Sequence, residues 1–383
     1  MHGVSESIPN RVFLERDRPP GAVVTFALMV LMVFGLALKS VPLSGLALAL
    51  AAWVILAHLP LWGQAAGRDV TIILVFASSM AAILPLAIVR SEVAILHFSV
   101  LILTLGSAFV TTRDLTSFCC ALRWLLWSAI VYVAGFILIN GVESFPLDRI
   151  LPNSSSNGIT SGLVLLQASY SAVHYLVYRK PQFIAPTLTF LICLVGVGRG
   201  SILTSGIILI VNALSFISLR YGWRALAMAV IVTATMTFGA IRFAEPINDF
   251  IAANTKIGAG FYDYHRERMI RDYLAEIDAV TLLTGADYRA TSIEYDYNDN
   301  PHNAFIRAHH IFGLPYLLAV LVFPLLFVRA NAEFGRTVYA LSMLGIIYLR
   351  AFTEPIIFPT LFDYFFFAAC FALSAHGSVT DTQ

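Results

Sequence analysis

Twelve apolar runs follow one another along this chain, and most are long enough to cross a lipid bilayer as a helix. At 1.5 Å per residue, about 20 residues span the hydrocarbon layer. The runs lie near 21–38, 42–62, 69–89, 93–111, 124–140, 158–178, 182–197, 201–219, 225–241, 309–328, 337–353 and 355–375. Inside a bilayer no water satisfies backbone N–H and C=O groups, so each run is expected to be helical. Composition points the same way. Only 12% of the 383 residues are charged and 58% are hydrophobic, against about 25% charged in soluble domains. The expected fold class is an all-α polytopic membrane protein of about 12 transmembrane helices, with one long extramembrane loop containing short helices.

The short loops set the orientation. With the N-terminus in the cytoplasm, the inner loops receive Arg68, Arg113, Arg123, Arg179, Lys180, Arg220, Arg224, Arg329 and Arg336. The outer ones receive Lys39, Arg90, Arg149, Arg199 and Arg350. Counting Arg11, Arg16 and Arg18 of the N-terminal segment, the bias is about two to one and places both termini inside. The expected layout is a cytoplasmic segment 1–20, helices over 21–241, an outer loop over 242–302, helices over 303–375 and a cytoplasmic tail 376–383. The first run reads as an uncleaved span, since the segment before it is polar and carries three arginines. Cys119, Cys120, Cys193 and Cys370 lie in or beside apolar runs and read as small hydrophobes. A net charge of +1 without a long basic run gives no sign of a nucleic-acid partner.

Four features fall on the expected outer face. The first is Gly196-Val197-Gly198-Arg199-Gly200-Ser201, between two apolar runs. Glycines permit a sharp turn and close approach of a ligand, Ser201 can cap the following helix, and Arg199 beside that helix start suits a phosphate or diphosphate. A headgroup-seeking interfacial arginine is the plainer reading. The second is a helical pattern after Arg266, with Ile270, Tyr273, Leu274 and Ile277 at +4, +7, +8 and +11. Arg266 then lies on the packing face and needs an anionic partner, either a carboxylate or a ligand phosphate, while Arg268 and Arg271 point to water.

The third feature is His302-Asn303, directly before an apolar run. Histidine is the side chain best suited to take a proton near neutral pH, although an interfacial histidine is often only a hydrogen-bonding cap. His309 and His310 make a metal cluster imaginable, but no carboxylate accompanies them and no metal is expected. The fourth is the run 294–300, rich in Asp, Asn and Tyr. A calcium loop is excluded by Pro301 at the glycine position and Arg307 at the bidentate-glutamate position, which leaves a surface that can stack on sugar rings.

His302-Asn303 followed after nine residues by Gly313 resembles the histidine motif of the bacterial O-antigen polymerase and ligase superfamily. That family has another glycine three residues later, where this chain has Tyr316. The Gly-Arg-Gly turn is similar to the family's arginine-bearing turn, with Arg199 at the arginine. Arg266 with its spaced apolar residues looks like the family's long-loop helix, and Gly285 like the glycine turn after it. Asn153 and Asn157 are similar to an asparagine turn opening an earlier helix. The resemblance covers roughly 149–316 by motif.

The resemblance implies a metal-independent glycosyltransferase without cofactor, at the periplasmic face of a bacterial inner membrane. It would move glycan from an undecaprenyl-diphosphate carrier to an acceptor hydroxyl. His302 would be the base, Arg199 and Arg266 would bind the diphosphate, and Asn303, Arg268, Arg350, Glu354 and Asn157 would support them. The expected partners are the lipid-linked glycan, a glycan or lipid A core acceptor, the bilayer and a chain-length regulator. Polymerisation of O-antigen or exopolysaccharide repeat units is favoured over ligation to the lipid A core or to protein, because Tyr316 departs from the ligase motif. A secondary transporter is the reading from a different class, but charges near mid-membrane are few, with Asp363 the main one.

Overall fold

The computed structural model describes residues 18–64, 67–91, 93–141, 146–151, 155–242, 264–289, 291–330 and 332–376. Among the described residues there is no strand. The helices in chain order are α1 (Ala22–Ala37), α2 (Val41–Ala57), α3 (Pro60–Gln64), α4 (Gly67–Arg90), α5 (Ala94–Thr111) and α6 (Leu115–Asn140). Then come α7 (Ser156–Tyr178), α8 (Ile184–Val195), α9 (Arg199–Arg242), α10 (Tyr264–Ala275), α11 (Ala279–Thr284) and α12 (Ser292–Tyr297). The last are α13 (Ala304–Leu326), α14 (Phe334–Ala351) and α15 (Asp363–His376). Among the described residues, five stretches are long and apolar enough to cross a membrane: Gly67–Val89, α5, α6, Arg199–Arg220 and α13. Shorter apolar helices stand beside them at α1, α2, α8 and Asp363–Ala375. This is the architecture of a helical membrane protein.

Three of the expected runs take a different form. Runs 201–219 and 225–241 belong to one helical element, α9, because Arg220 and Arg224 are good helix formers and no proline intervenes. The run 355–375 is helical only from Asp363. Pro355 and Pro359 each remove a backbone donor, and the Asp363 carboxylate accepts the N–H groups of Phe358 at 2.7 Å and Thr360 at 3.2 Å. Irregular backbone at this depth is tolerated because Ile357, Phe358 and Thr360 are enclosed by protein. The N-terminal segment, residues 243–263, Asn153 and the tail from 377 lie outside the described residues.

α7 is the axis of the bundle, packed by α6, α8, α9, α14 and α15. Nearly all of it is buried, including Thr160, Ser161, Gly162, Gln167, Ser169 and Ser171. Small residues let neighbouring helices approach; a Cβ on Gly162 would meet the Phe362 ring at 3.2 Å. Gln167 bonds Ser171 at 2.9 Å and receives Thr189 of α8 at 3.2 Å, so its polar atoms are paired inside the bundle.

Charge gathers at the two ends. At one end Arg329 bonds both oxygens of Asp69 at 3.0 and 2.9 Å, Arg68 donates to the Leu326 carbonyl at 2.8 Å, and Arg336 pairs with Glu333 at 3.1 Å. The other end, called here the site face, is formed by the starts of α7, α9 and α13 and the ends of α8 and α14. α10, α11 and α12 lie on this side, with Met269, Tyr273, Tyr288 and Ile293 in a small core against Ile306 of α13.

Gly313 interrupts α13 at φ 73°, and a Cβ there would sit 2.0 Å from the Leu283 carbonyl oxygen. Gly313→Ala is therefore expected to lose about 2–5 kcal/mol, from the left-handed backbone and the clash with α11 together. Thermal unfolding in detergent should show it as a lowered midpoint. The control is Gly345→Ala in α14, where nothing lies within 4 Å and a gain of up to about 1 kcal/mol is expected.

Candidate functional site

A cavity of about 750 Å³ opens on the site face. It is lined by Asp148, Ser155 to Asn157, the turn 196–200, Leu203, Arg266, Glu267, Ile270, Pro301 to Asn303, Arg350, Phe352 and Thr353. Six of the residues singled out by sequence (Asn157, Arg199, Arg266, His302, Asn303 and Arg350) thus meet at one cavity, although up to 193 positions separate them.

Glu354 sits behind the cavity wall and ties this set together. Its carboxylate accepts Asn157 Nδ2 at 3.0 Å and lies 3.7 Å from Arg266, 3.8 Å from Arg350 and 3.8 Å from His302 Nδ1. Burial pushes this carboxyl up, but the His302 ring, Arg350 and Arg266 outweigh that and hold it below the ordinary glutamate value. Of the two partners that the sequence left open for Arg266, the structure supplies the carboxylate.

Arg350 is only 1% exposed. It donates to Thr353 and to Ser161 of α7, and its guanidinium lies over Gly200, where a Cβ would come within 2.9 Å of it. A Cβ on Gly198 would lie 2.3 Å from Asn157 Oδ1, and one on Gly196 2.5 Å from Thr160. The glycines of this turn therefore admit α7 and α14 rather than bend the chain; the left-handed residue is Val197, at φ 55°. α9 begins at Arg199, so Ser201 is not its cap; Ser201 is buried and accepts Thr160 Oγ1 at 2.8 Å.

Several expected roles change. On α10 the buried residues are Met269 and Tyr273, while Leu274 is 59% exposed, so the packing face is turned by part of a helix step from the expected one. The reason is tertiary: Met269 and Tyr273 reach the core beneath Tyr288 and Ile306. Arg268 is not a supporting residue of the cavity; it faces away and pairs with Asp296 at 3.3 Å and Asp272 at 3.7 Å. Asn303 lines the cavity, but its Oδ1 caps α13 by accepting Phe305 N at 2.8 Å and Ile306 N at 3.1 Å. His309 Nδ1 meets Tyr273 Oη at 2.6 Å and its Nε2 donates to the Leu282 carbonyl at 2.9 Å. His310 Nδ1 donates to the Ala286 carbonyl at 2.7 Å. These two rings clamp the loop to α13, and no group of three or more potential metal ligands exists among the described residues.

Comparison with family models, curated proteins and solved structures gives no match. The site is accordingly read from its own chemistry.

Sequence reasoning passed over Asp148, Ser161 and Thr353. Asp148 accepts the N–H of Ser156 and so holds the start of α7. An acidic residue shortly before a helix start was its signal. Ser161 and Thr353 carried none, because a lone hydroxyl becomes notable only beside the guanidinium it receives. The cavity also retains polar atoms without a hydrogen bond inside the protein, among them Ser156 Oγ, Asn157 Oδ1 and His302 Nδ1. These atoms are enclosed in the cavity wall, with Asn157 Oδ1 packed against Gly198 and His302 Nδ1 turned to Glu354.

Removing the Glu354 charge should expose its role. Glu354→Gln keeps the shape but leaves Arg350 and Arg266 without their shared counter-charge, at a cost on the order of 2 kcal/mol. The sign with pH follows from the lowered value. The ionised carboxylate stabilises the fold above the ordinary glutamate value of 4.5, and that contribution is lost as pH falls below it. Unfolding midpoints of wild type and variant should differ by a constant amount above pH 4.5 and converge below it.

Proposed function

We propose that the chain is a glycosyltransferase that takes glycan from a polyprenyl-diphosphate carrier and joins it to an acceptor hydroxyl at the site face. The observation that carries this reading is the meeting of three arginines and a histidine in one cavity, with Glu354 behind them. Arginine offers planar, permanently charged donors suited to diphosphate oxygens. Leu203 and Phe352 line the same cavity and are 46% and 54% exposed, on the flank where α9 meets α14. A cavity polar at its base and apolar at its flank fits a ligand with a charged head and a hydrocarbon tail.

In this reading the acceptor oxygen attacks the anomeric carbon, the bond from that carbon to the diphosphate oxygen breaks, and the diphosphate leaves with the electron pair. Arg199 and Arg266 stabilise the charge that builds on it, a contribution that grows toward the transition state. The acceptor proton passes to His302. With Nδ1 facing Glu354 at 3.8 Å, this reading assigns the proton of the neutral ring to Nδ1 and leaves Nε2 to take the acceptor's proton. Glu354 then stabilises the imidazolium that forms. Arg350, held by Ser161, Thr353 and Glu354, keeps that carboxylate in place.

The face, the compartment and the acceptor belong to the same proposal: the site face is periplasmic, the membrane is a bacterial inner membrane, and the acceptor is another lipid-linked repeat unit. The balance of arginines at the opposite end, with Arg68, Arg179, Arg329 and Arg336, supports the orientation.

Purified protein in detergent, given undecaprenyl-diphosphate-linked repeat units with EDTA present, should build a ladder of longer lipid-linked glycans. His302→Ala should slow it by about 10²–10⁴-fold, the usual contribution of a general base. Arg266→Ala should slow it by about 10²–10³-fold, as loss of an oxyanion donor does. Glycan transfer only after lipid A core is supplied would replace the polymerase with a ligase. Counterflow uptake in proteoliposomes without covalent product would sink the transferase reading.

A further inference from the structure

We infer that α11 is a lipid-facing turn, inserted into the hydrocarbon of the leaflet on the site face, rather than part of a loop standing in water. The inference rests on the fold and does not depend on the reaction assigned to the cavity.

Height is the first observation. The Leu283 carbonyl is seated against Gly313, in the interior of α13. From Gly313 to the helix end at Leu326 the rise is about 20 Å at 1.5 Å per residue. The opposite boundary is marked at that end, where Arg68 binds the Leu326 carbonyl and Arg329 pairs with Asp69. A hydrocarbon layer is about 30 Å thick, so Leu283 lies roughly 10 Å inside the near boundary. Any tilt of α13 would put it deeper.

The surface of α11 is the second. Val280 is 67% exposed, Leu282 40% and Leu283 57%, and the helix itself carries no charge. α11 also packs against α4, whose Leu86 and Val89 are 53% and 87% exposed, so the apolar surface continues from one helix to the other. Asp278, the capping residue, is the charge next to α11 and stands at its N-terminal end, about 7.5 Å along the helix from Leu283.

The third is backbone satisfaction. A helix end in hydrocarbon must find partners for its free carbonyls within the protein. Here the Leu282 carbonyl receives His309 Nε2–H at 2.9 Å, the Ala286 carbonyl receives His310 Nδ1–H at 2.7 Å, and the Thr281 carbonyl receives Gly285 N–H at 2.7 Å. In water such carbonyls would need no buried histidine. Gly285, at φ 94°, lets the chain turn after α11 and lead on to Tyr288, which stacks on His310 at 3.8 Å.

A nitroxide at Leu283→Cys tests this, in the full chain with its four native cysteines replaced by alanine and reconstituted in phosphatidylcholine–phosphatidylglycerol vesicles. Tyr295→Cys, 71% exposed on α12, is the aqueous reference. Position 283 should collide freely with oxygen and lose most collisions with a water-soluble nickel chelate relative to 295. Equal chelate access at both positions would overturn the inference, and so would shielding of 283 from both reagents, which would mean a protein partner covers it. Hydroxyl-radical footprinting of the unaltered chain in the same vesicles guards against a misfolded variant. It should oxidise Tyr295 and spare Leu282 and Leu283; oxidation of both leucines would count against insertion.

Discussion

A guanidinium buried at the end of a helix bundle is the demand around which the site face is organised. Arg350 is 1% exposed, and a charge so placed is stable only if oxygen atoms surround it. Ser161 of α7, Thr353 and Glu354 after α14 and the bare Gly200 at the start of α9 provide that surrounding. Satisfying one arginine therefore fixes the relative position of three helices. Glu354 extends the arrangement outward: the carboxylate that answers Arg350 also bonds Asn157 and faces Arg266 and His302. The loop helix α10 thus reaches the membrane helices through charge as well as through Met269 and Tyr273.

The bilayer explains why the most central helix is also rich in small polar residues. Lipid-facing helices must be apolar on their exposed side, whereas α7 touches protein nearly all round and can carry serine, threonine, glutamine and glycine. Its hydroxyls bond back to the preceding turn or across to neighbours, as Thr160 does to the Ser156 carbonyl at 2.8 Å and to Ser201 at 2.8 Å. Close packing of small residues then replaces the apolar contact that hydropathy measures. The same logic covers residues 355–362, which are apolar in sequence but irregular in structure, because surrounding side chains and Asp363 meet the needs of their backbone.

Much of the fold was legible in the sequence. The starts and ends of α5, α7, α8, α13 and α14 fall within a few residues of the apolar runs, since length and hydropathy are what a bilayer selects. The meeting of Arg199, Arg266, His302 and Arg350 was partly legible too. Arg199, His302 and Arg350 lie at or near the ends of apolar runs and Arg266 in the long loop, and run parity puts these positions on one face. Their partners were not legible. Nothing in the order of residues ties Asn157 to Glu354, 197 positions away, or Ser161 to Arg350.

What the sequence by itself determined is a helical chain for an apolar solvent, with its charges sorted to two ends and its candidate site residues at one of them. That follows from composition and periodicity, which are local. Only the tertiary structure decided which face of α10 packs, that the Gly196–Gly200 glycines admit neighbouring side chains, that Arg268 turns away from the cavity, and that His309 and His310 clamp a loop. Each of those outcomes depends on which groups meet across the bundle. Such meetings are set by packing and charge pairing between distant segments, and no single stretch of the chain carries that information.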